Sequence, residues 1–166
     1  MHSNPVRVEP GPGQESVWDY PRPPRLEKVA DRLRVEFAAQ TIADTRSGYR
    51  ILETSHPPVY YFPPTDIDLD KLIAEPAETY CEYKGMARYW TLQVGKLRST
   101  MAAGSYTHPS ARYQEIAGYL AFYPSRVDHC WVSDEPVAAQ PGDFYGGWIT
   151  SRVVGPFKGG RGTLGW

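Results

Sequence analysis

The stretch RLRVEFAAQTIADT, residues 32–45, decides the fold class because apolar and charged side chains alternate along it. Leu33, Val35 and Phe37 occupy every second position, which is the period of a β-strand with one buried face. A short Ala-Ala-Gln break leads into a second run, so the stretch predicts a β-hairpin. Antiparallel hairpins of this kind are typical of an all-β domain.

Short runs rich in aromatic and β-branched residues continue along most of the chain, with Gly and Pro between many of them. They include YRILE, VYYF, TYCEY, RYWTLQV, KLRSTMA, YLAFY and HCWV. In QVGKL a glycine separates two alternating runs, as the turn of a further hairpin requires. Only DLDKLIAE, closed by Pro76, has the pattern of a short helical turn. The sequence therefore predicts an all-β fold with one short helical turn.

The chain is long enough for one domain with a hydrophobic core, since it has 166 residues of which 41% are hydrophobic. Residues 1–15 are rich in Pro, Gly and polar side chains and predict a loose N-terminal arm. Residues 16–166 are predicted to form a single β-domain. It begins with an extended strap, SVWDYPRPPRLE, whose Trp18 and Tyr20 rings pack against the body. It ends in a Gly-rich segment whose large aromatic rings argue against a disordered tail.

Composition limits the classes of partner and the compartment. The formal net charge is −1 and the basic residues form no stripe, so we expect no nucleic acid and no anionic membrane surface. No run approaches the roughly 18 apolar residues of a membrane span, and the first residues lack the apolar core of a secretory signal. A cytoplasmic protein is expected, in which Cys81 and Cys130 are free thiols.

The stretch ETSHPPVYYFPP, residues 53–64, concentrates polar chemistry beside a rigid proline pair. The prolines fix their own φ angles and hold His56 toward extended geometry, so the cluster has one orientation. Glu53 and Ser55 share a side of an extended chain, and Tyr60 returns to the same cavity. Glu53 orients the imidazole or acts as an acid or base. The alternative for His56 is an ordinary imidazole that is hydrogen-bonded to a backbone carbonyl.

A second group of candidates is Cys81 and Lys84 in CEYKG, where a thiol precedes an ammonium by three residues. A strand followed by a turn allows both to face one cavity. A nearby ammonium favours the thiolate, so Cys81 is a candidate nucleophile, with Lys84 as its counter-ion or as an anchor for a ligand carboxylate or phosphate. Otherwise Cys81 is a packed wall residue.

Aromatic side chains flank these motifs and predict a pocket for a small planar or polar ligand, because a phenol offers a flat apolar face and one donor. The rings of FYGGWIT are expected to close one wall, since Gly146 and Gly147 allow close approach of the backbone. The alternative for any one tyrosine is a half-buried position at a sheet rim. The predicted lining residues, beyond Ser55 and Tyr60, are Tyr89, Tyr119, Tyr123, Tyr145 and Trp148.

Four motifs together, ETSHPPVYYFPP, TYCEYKGMARYW, IAGYLAFYPSRVD and FYGGWIT, resemble the bacterial and fungal family catalogued as domain of unknown function 427. The resemblance covers residues 16–166. It implies an open all-β architecture similar to the Mss4-like or β-tent group, with two sheets at an angle over a central pocket. The family is sometimes labelled nucleotidyltransferase-like, and the resemblance implies no established reaction.

Relatives within that wider fold group commonly bind zinc through two CxxC pairs, which this chain lacks. Lys84 stands where a partner of Cys81 would stand, and Cys130 in HCWV is expected to be a small buried hydrophobe. A zinc site would require Cys81, Cys130 and His129 or His56 to converge. We therefore expect no metal and no cofactor.

The acidic residues of DIDLDK, which are Asp66, Asp68 and Asp70, are at strand spacing. Converging carboxylates can hold Mg²⁺ for a transferase, but a solvated acidic turn is the favoured interpretation. GPFKGGRGTLGW has glycines and cations without a helix behind them to hold a phosphate. A nucleotidyltransferase-like activity therefore rests on the family label alone.

Two functions from different classes follow from these candidates. The favoured one is a small-molecule-binding β-domain, a monomer or weak homodimer, whose ligand is unidentified. The alternative is an enzyme of unknown reaction that uses Glu53 and His56 for acid–base chemistry or Cys81 and Lys84 for covalent chemistry. A protein-interaction domain is favoured only if the Trp18 strap is mobile and exposes an apolar groove.

Overall fold

Strands dominate the protein. The computed structural model describes residues 5–166, and within that range fifteen strands are joined by turns and short 3₁₀ segments. The all-β prediction is confirmed. The strands are β1 Glu15–Ser16, β2 Arg25–Lys28, β3 Leu33–Phe37, β4 Gln40–Thr45, β5 Tyr49–Leu52, β6 Val59–Tyr61, β7 Leu72–Cys81, β8 Gly85–Val94, β9 Leu97–Tyr106, β10 Leu120–Phe122, β11 His129–Val132, β12 Glu135–Pro136, β13 Ala138–Ala139, β14 Trp148–Ile149 and β15 Val153–Val154.

Helical structure in the described residues is limited to 3₁₀ segments. They are Val17–Asp19, Pro64–Asp66, Leu69–Lys71, Ala111–Ile116 and Pro124–Arg126. The predicted helical turn in DLDKLIAE corresponds to the third of these, and the rest of that motif begins β7. The four other segments begin at or directly after a Ser or Pro residue, namely Ser16, Pro64, Ser110 and Pro124.

The longest strands form an antiparallel sheet in the order β10-β9-β8-β7. The hairpin predicted from QVGKL is confirmed: β8 and β9 are joined through Gly95, whose φ of 58° suits a tight turn. The pairing of β7 with β8 shifts register between Ala74 and Glu78. Pro76 lies in this gap, as expected for a residue without an N–H on an edge strand.

A second four-stranded sheet has the order β12-β11-β3-β4 and contains the predicted hairpin. Leu33, Val35 and Phe37 are buried on its inner face, in agreement with their alternation. The turn of this hairpin places Ala38 and Ala39 at positive φ, 52° and 61°. A tight hairpin between right-twisted strands requires this backbone even when glycine is absent.

A third sheet, β2-β5-β6, connects to the first through one residue pair. The backbone N–H of Phe62 donates to the oxygen of Leu120 over 2.8 Å, and the reverse bond is 3.0 Å. The end of β6 is thereby fixed beside β10. The remaining strands form two short pairs, β1 with β15 and β13 with β14.

Trp148 lies in the main hydrophobic core. Its side chain is 0% exposed, and its indole N–H donates to the backbone oxygen of Phe122 over 3.0 Å. The rings of Tyr60 and Phe62 lie 5.0 and 5.9 Å from it, measured between ring centroids. The C-terminal FYGGWIT segment is therefore anchored in the core of the sheets.

Part of the predicted N-terminal arm, residues 1–4, lies outside the described residues. The rest of the arm follows the C-terminal segment: the Val8 N–H donates to Gly155 over 3.0 Å, and β1 pairs in parallel with β15. In the adjoining strap, Val17 and Tyr20 are buried, and the Trp18 indole donates to the Pro156 oxygen over 2.9 Å.

Tyr113 connects the 3₁₀ segment after β9 to the strap. Its phenol is 1% exposed and donates to the backbone oxygen of Pro24 over 2.7 Å. Tyr113→Phe is expected to lower the free energy of unfolding by about 1 kcal/mol, because the buried carbonyl loses its partner. Tyr80→Phe, at a side chain that is 72% exposed, is the control. Equal urea midpoints for the two variants would contradict the assignment.

Candidate functional site

A cavity of about 320 Å³ lies where the sheet β10-β9-β8-β7 faces β5 and β6. The loop after β13 and the chain near Lys158 close its remaining side. Its size is in the range of small-molecule sites.

The cavity brings together many of the residues that the sequence singled out. Both pairs of chemical candidates line it, although they come from different elements of the chain. They are joined by three of the predicted aromatic residues. The shared lining consists of Glu53, His56, Cys81, Lys84, Tyr89, Tyr123 and Tyr145.

Four predicted lining residues lie elsewhere. Ser55 is fully buried, and Trp148 is in the core. Tyr119 packs against Tyr49 with 5.7 Å between ring centroids. Tyr60 points to the opposite side of β6, into a smaller cleft of about 260 Å³.

Residues outside the predicted set also line the cavity. Tyr61 lines the cavity, whereas Tyr60 does not. Side chains alternate between the two faces of a strand, so one residue of β6 known to face the cavity would have distinguished the two tyrosines. Tyr106 and Lys158 also line it. Tyr106 ends β9 without a motif to mark it, and Lys158 belongs to the glycine-rich segment that was considered only as a phosphate loop.

Lys84 lies in the turn between β7 and β8, which is fixed by hydrogen bonds from Ser110. The N–H of Ser110 donates to the Lys84 oxygen over 3.1 Å, and its hydroxyl donates to the Tyr83 oxygen over 2.6 Å. The half-buried ammonium stands over the ring of Tyr106, 5.3 Å from its centroid. Among residues 5–166 it forms no ion pair and no side-chain hydrogen bond.

The charge state of Lys84 follows from its surroundings. Burial acts to lower the pKa of the ammonium, but the facing Tyr61 and Tyr106 phenols and the Cys81 thiol, together with Glu53, raise it on balance. Lys84 is therefore a cation at neutral pH. Burial raises the pKa of the Tyr61 and Tyr106 phenols, so both remain neutral donors.

His56 is held as a neutral imidazole at the edge of the cavity. Burial is the main cause that lowers its pKa to about 4, and the cations Lys158, Arg22 and Lys84 act in the same direction against Glu53. The imidazole Nδ1 is 3.0 Å from Gln140 Nε2. The sequence gave no signal for Gln140, which lies 84 residues away along the chain.

In the cavity, Glu53 is held by an ion pair, whereas Cys81 carries a free thiol. Glu53 accepts a hydrogen bond from the guanidinium of Arg22 over 3.1 Å, and the same guanidinium donates to the Thr54 oxygen over 2.9 Å. Cys81 is a half-buried free thiol at the end of β7, whereas Cys130 is buried in the core. Within the described part of the chain no three His, Cys, Asp or Glu side chains converge to hold a metal ion.

Antiparallel sheets around a cavity lined by aromatic side chains and two lysines define a small all-β domain. A family model described as a domain of unknown function, DUF427, matches residues 25–133, more than half of the chain, and the chain belongs to this family. The predicted family resemblance is confirmed. No curated protein matches the chain. Of residues 5–166, no helical segment has the length and apolar character needed to cross a bilayer.

Proposed function

We propose that the cavity binds a small organic anion with a flat apolar body. The observation that carries the proposal is the Lys84 ammonium, which faces the cavity without an acidic partner among the described residues. A charge that is partly withdrawn from water costs free energy unless it is paired. An anionic group on a ligand would supply the missing partner.

The remaining lining supports a planar ligand. Tyr89 lies opposite Gly104 in the β8–β9 pairing, so its ring covers backbone and leaves one face to the cavity. The rings of Tyr145 and His56 meet edge to face, 4.6 Å between centroids. Phe144 is 72% exposed although it borders the cavity, and such a ring is stabilised when a ligand covers it.

Lys158 has a supporting role in this proposal. Its ammonium donates to the Trp166 backbone oxygen over 3.3 Å and lies 5.6 Å from the Tyr145 ring centroid. It is therefore already engaged, whereas Lys84 retains all three N–H donors. Lys158 adds positive potential, and Lys84 contacts the anion.

Catalysis is the weaker candidate. A general base needs a free lone pair, but His56 Nδ1 faces the Gln140 amide, and burial makes the imidazole a poor base. The Glu53 carboxylate is already paired with the Arg22 guanidinium over 3.1 Å. Covalent chemistry would use the Cys81 thiol, which shares the cavity with Lys84. A nucleotidyltransferase-like reaction has no support beyond the family label.

The proposal is tested with 3-phenylpropionate and its uncharged amide, 3-phenylpropanamide. Native protein is expected to bind the acid more tightly, measured by isothermal titration calorimetry. Lys84→Met should weaken the acid by about ten- to a hundredfold, because a charge-assisted hydrogen bond is lost. Lys96→Met, at an exposed lysine in the β8–β9 turn, is the matched control. Equal affinity for acid and amide would refute the proposal.

A further inference from the structure

The side-chain amide of Gln140 is 3% exposed and has one possible orientation. Its Oε1 accepts from the Gly147 N–H over 3.0 Å, and its Nε2 donates to the Lys158 oxygen over 2.8 Å. A backbone N–H can only donate and a carbonyl can only accept, so exchanging oxygen and nitrogen would break both bonds. The amide nitrogen is therefore the atom that faces His56 Nδ1 at 3.0 Å.

This contact fixes the tautomer of His56. An amide nitrogen has donors and no lone pair to offer, so Nδ1 must accept. In a neutral imidazole the proton then resides on Nε2. His56 consequently presents an N–H, and not a lone pair, at Nε2.

The Nε2–H group of His56 has no hydrogen-bond partner among the described residues. The nearest carboxylate oxygen, Oε2 of Glu53, is 3.7 Å away, which is too long for a hydrogen bond. The His56 side chain is only 10% exposed, and both residues line the cavity. The donor and the acceptor are too close for another atom to fit between them, but both border the cavity, so one ligand oxygen beside the pair can contact both.

We propose that the bound anion carries a hydroxyl group that lies beside the His56–Glu53 pair, where it accepts from Nε2–H and donates to the carboxylate. One oxygen can do both only if it bears a proton and a lone pair. An ammonium cannot accept, an ether cannot donate, and a second carboxylate would be repelled by Glu53. The inference rests on the proposed function and narrows the ligand class to hydroxylated organic acids, with Gln140 as the positioning residue.

The experiment compares three acids with their 4-hydroxy derivatives: benzoate, phenylacetate and 3-phenylpropionate. The series varies the distance between the carboxylate and the hydroxyl, so it covers a range of separations between Lys84 and His56. In at least one pair the hydroxylated acid is expected to bind about tenfold more tightly. His56→Gln, which retains an N–H donor, should keep this preference, and His56→Leu should abolish it.

Nitrogen-15 NMR of the imidazole gives a second readout that does not depend on a ligand. Native protein should show a protonated Nε2 and an unprotonated Nδ1 at pH 7. Gln140→Met should allow the Nδ1–H tautomer to appear. If Gln140 only filled space, the substitution would leave the tautomer unchanged. A protonated Nδ1 in the native protein would overturn the inference.

The outcomes separate the two proposals. Equal binding of hydroxylated and plain acids that still requires Lys84 would overturn the hydroxyl inference and leave the anion site intact. Absence of binding for all six acids would count against both. A hydroxyl preference that survives in His56→Leu would place the hydroxyl elsewhere and overturn the inference.

Discussion

When the pH is lowered from 7 to 4, the free energy of unfolding of the native protein is expected to decrease by about 3 kcal/mol more than that of a His56→Gln variant. Burial lowers the pKa of His56 from 6.5 to about 4 in the folded protein. The unfolded chain therefore binds a proton on His56 at a higher pH than the folded chain does. The stabilisation is complete above pH 6.5 and is lost progressively as the pH falls to about 4.

Charged groups around His56 also act on its pKa, so the variant must leave them in place. Glu53 favours the protonated ring, and Lys158, Arg22 and Lys84 oppose it. All four are retained in His56→Gln, so the difference between the two pH profiles isolates the imidazole. The measurement is urea unfolding at intervals from pH 4 to pH 7.5. His129→Gln, at an exposed imidazole, should follow the native profile, and parallel profiles for native protein and His56→Gln would contradict the assignment.

The hairpins were predictable from sequence because their evidence is local. Alternation in RLRVEFAAQTIADT and the glycine in QVGKL each report on neighbouring residues, and both hairpins form as predicted. The cavity was predictable in part for a related reason. Glu53 and His56 follow β5, and Cys81 ends β7 with Lys84 in the turn after it, so each pair occupies one strand end.

Side-chain direction and distant contacts were not predictable from these motifs. The choice between Tyr60 and Tyr61 depends on the register of β6, and a shift of one residue reverses the face. Gln140 contacts His56 only because β13 and β14 bring a loop back to the prolines after His56. The Mss4-like grouping, the cytoplasmic location and the oligomeric state stay predictions.

Gly147→Ala is expected to lower the free energy of unfolding by about 3 kcal/mol, at the upper end for overpacking. A Cβ atom at this position would lie 2.4 Å from Gln140 Oε1, 2.6 Å from Pro57 Cγ and 2.9 Å from the Pro57 oxygen. Pro57 cannot move away easily because its ring and backbone are rigid. The clash must therefore displace Gln140, whose amide holds His56, Lys158 and Gly147 together.

The matched control is Gly165→Ala, where the added Cβ meets no atom within 4 Å and the backbone φ is not positive. Its effect should stay within about 0.5 kcal/mol. Gly146→Ala should fall between the two, because its Cβ would lie 3.2 Å from the side chain of Tyr123, which can shift. The free energies are measured by urea unfolding.

In a Gln140→Ala background the cost of Gly147→Ala should decrease, since one of the three clashes is removed. An unchanged cost in that background would show that Pro57 alone excludes a side chain at position 147.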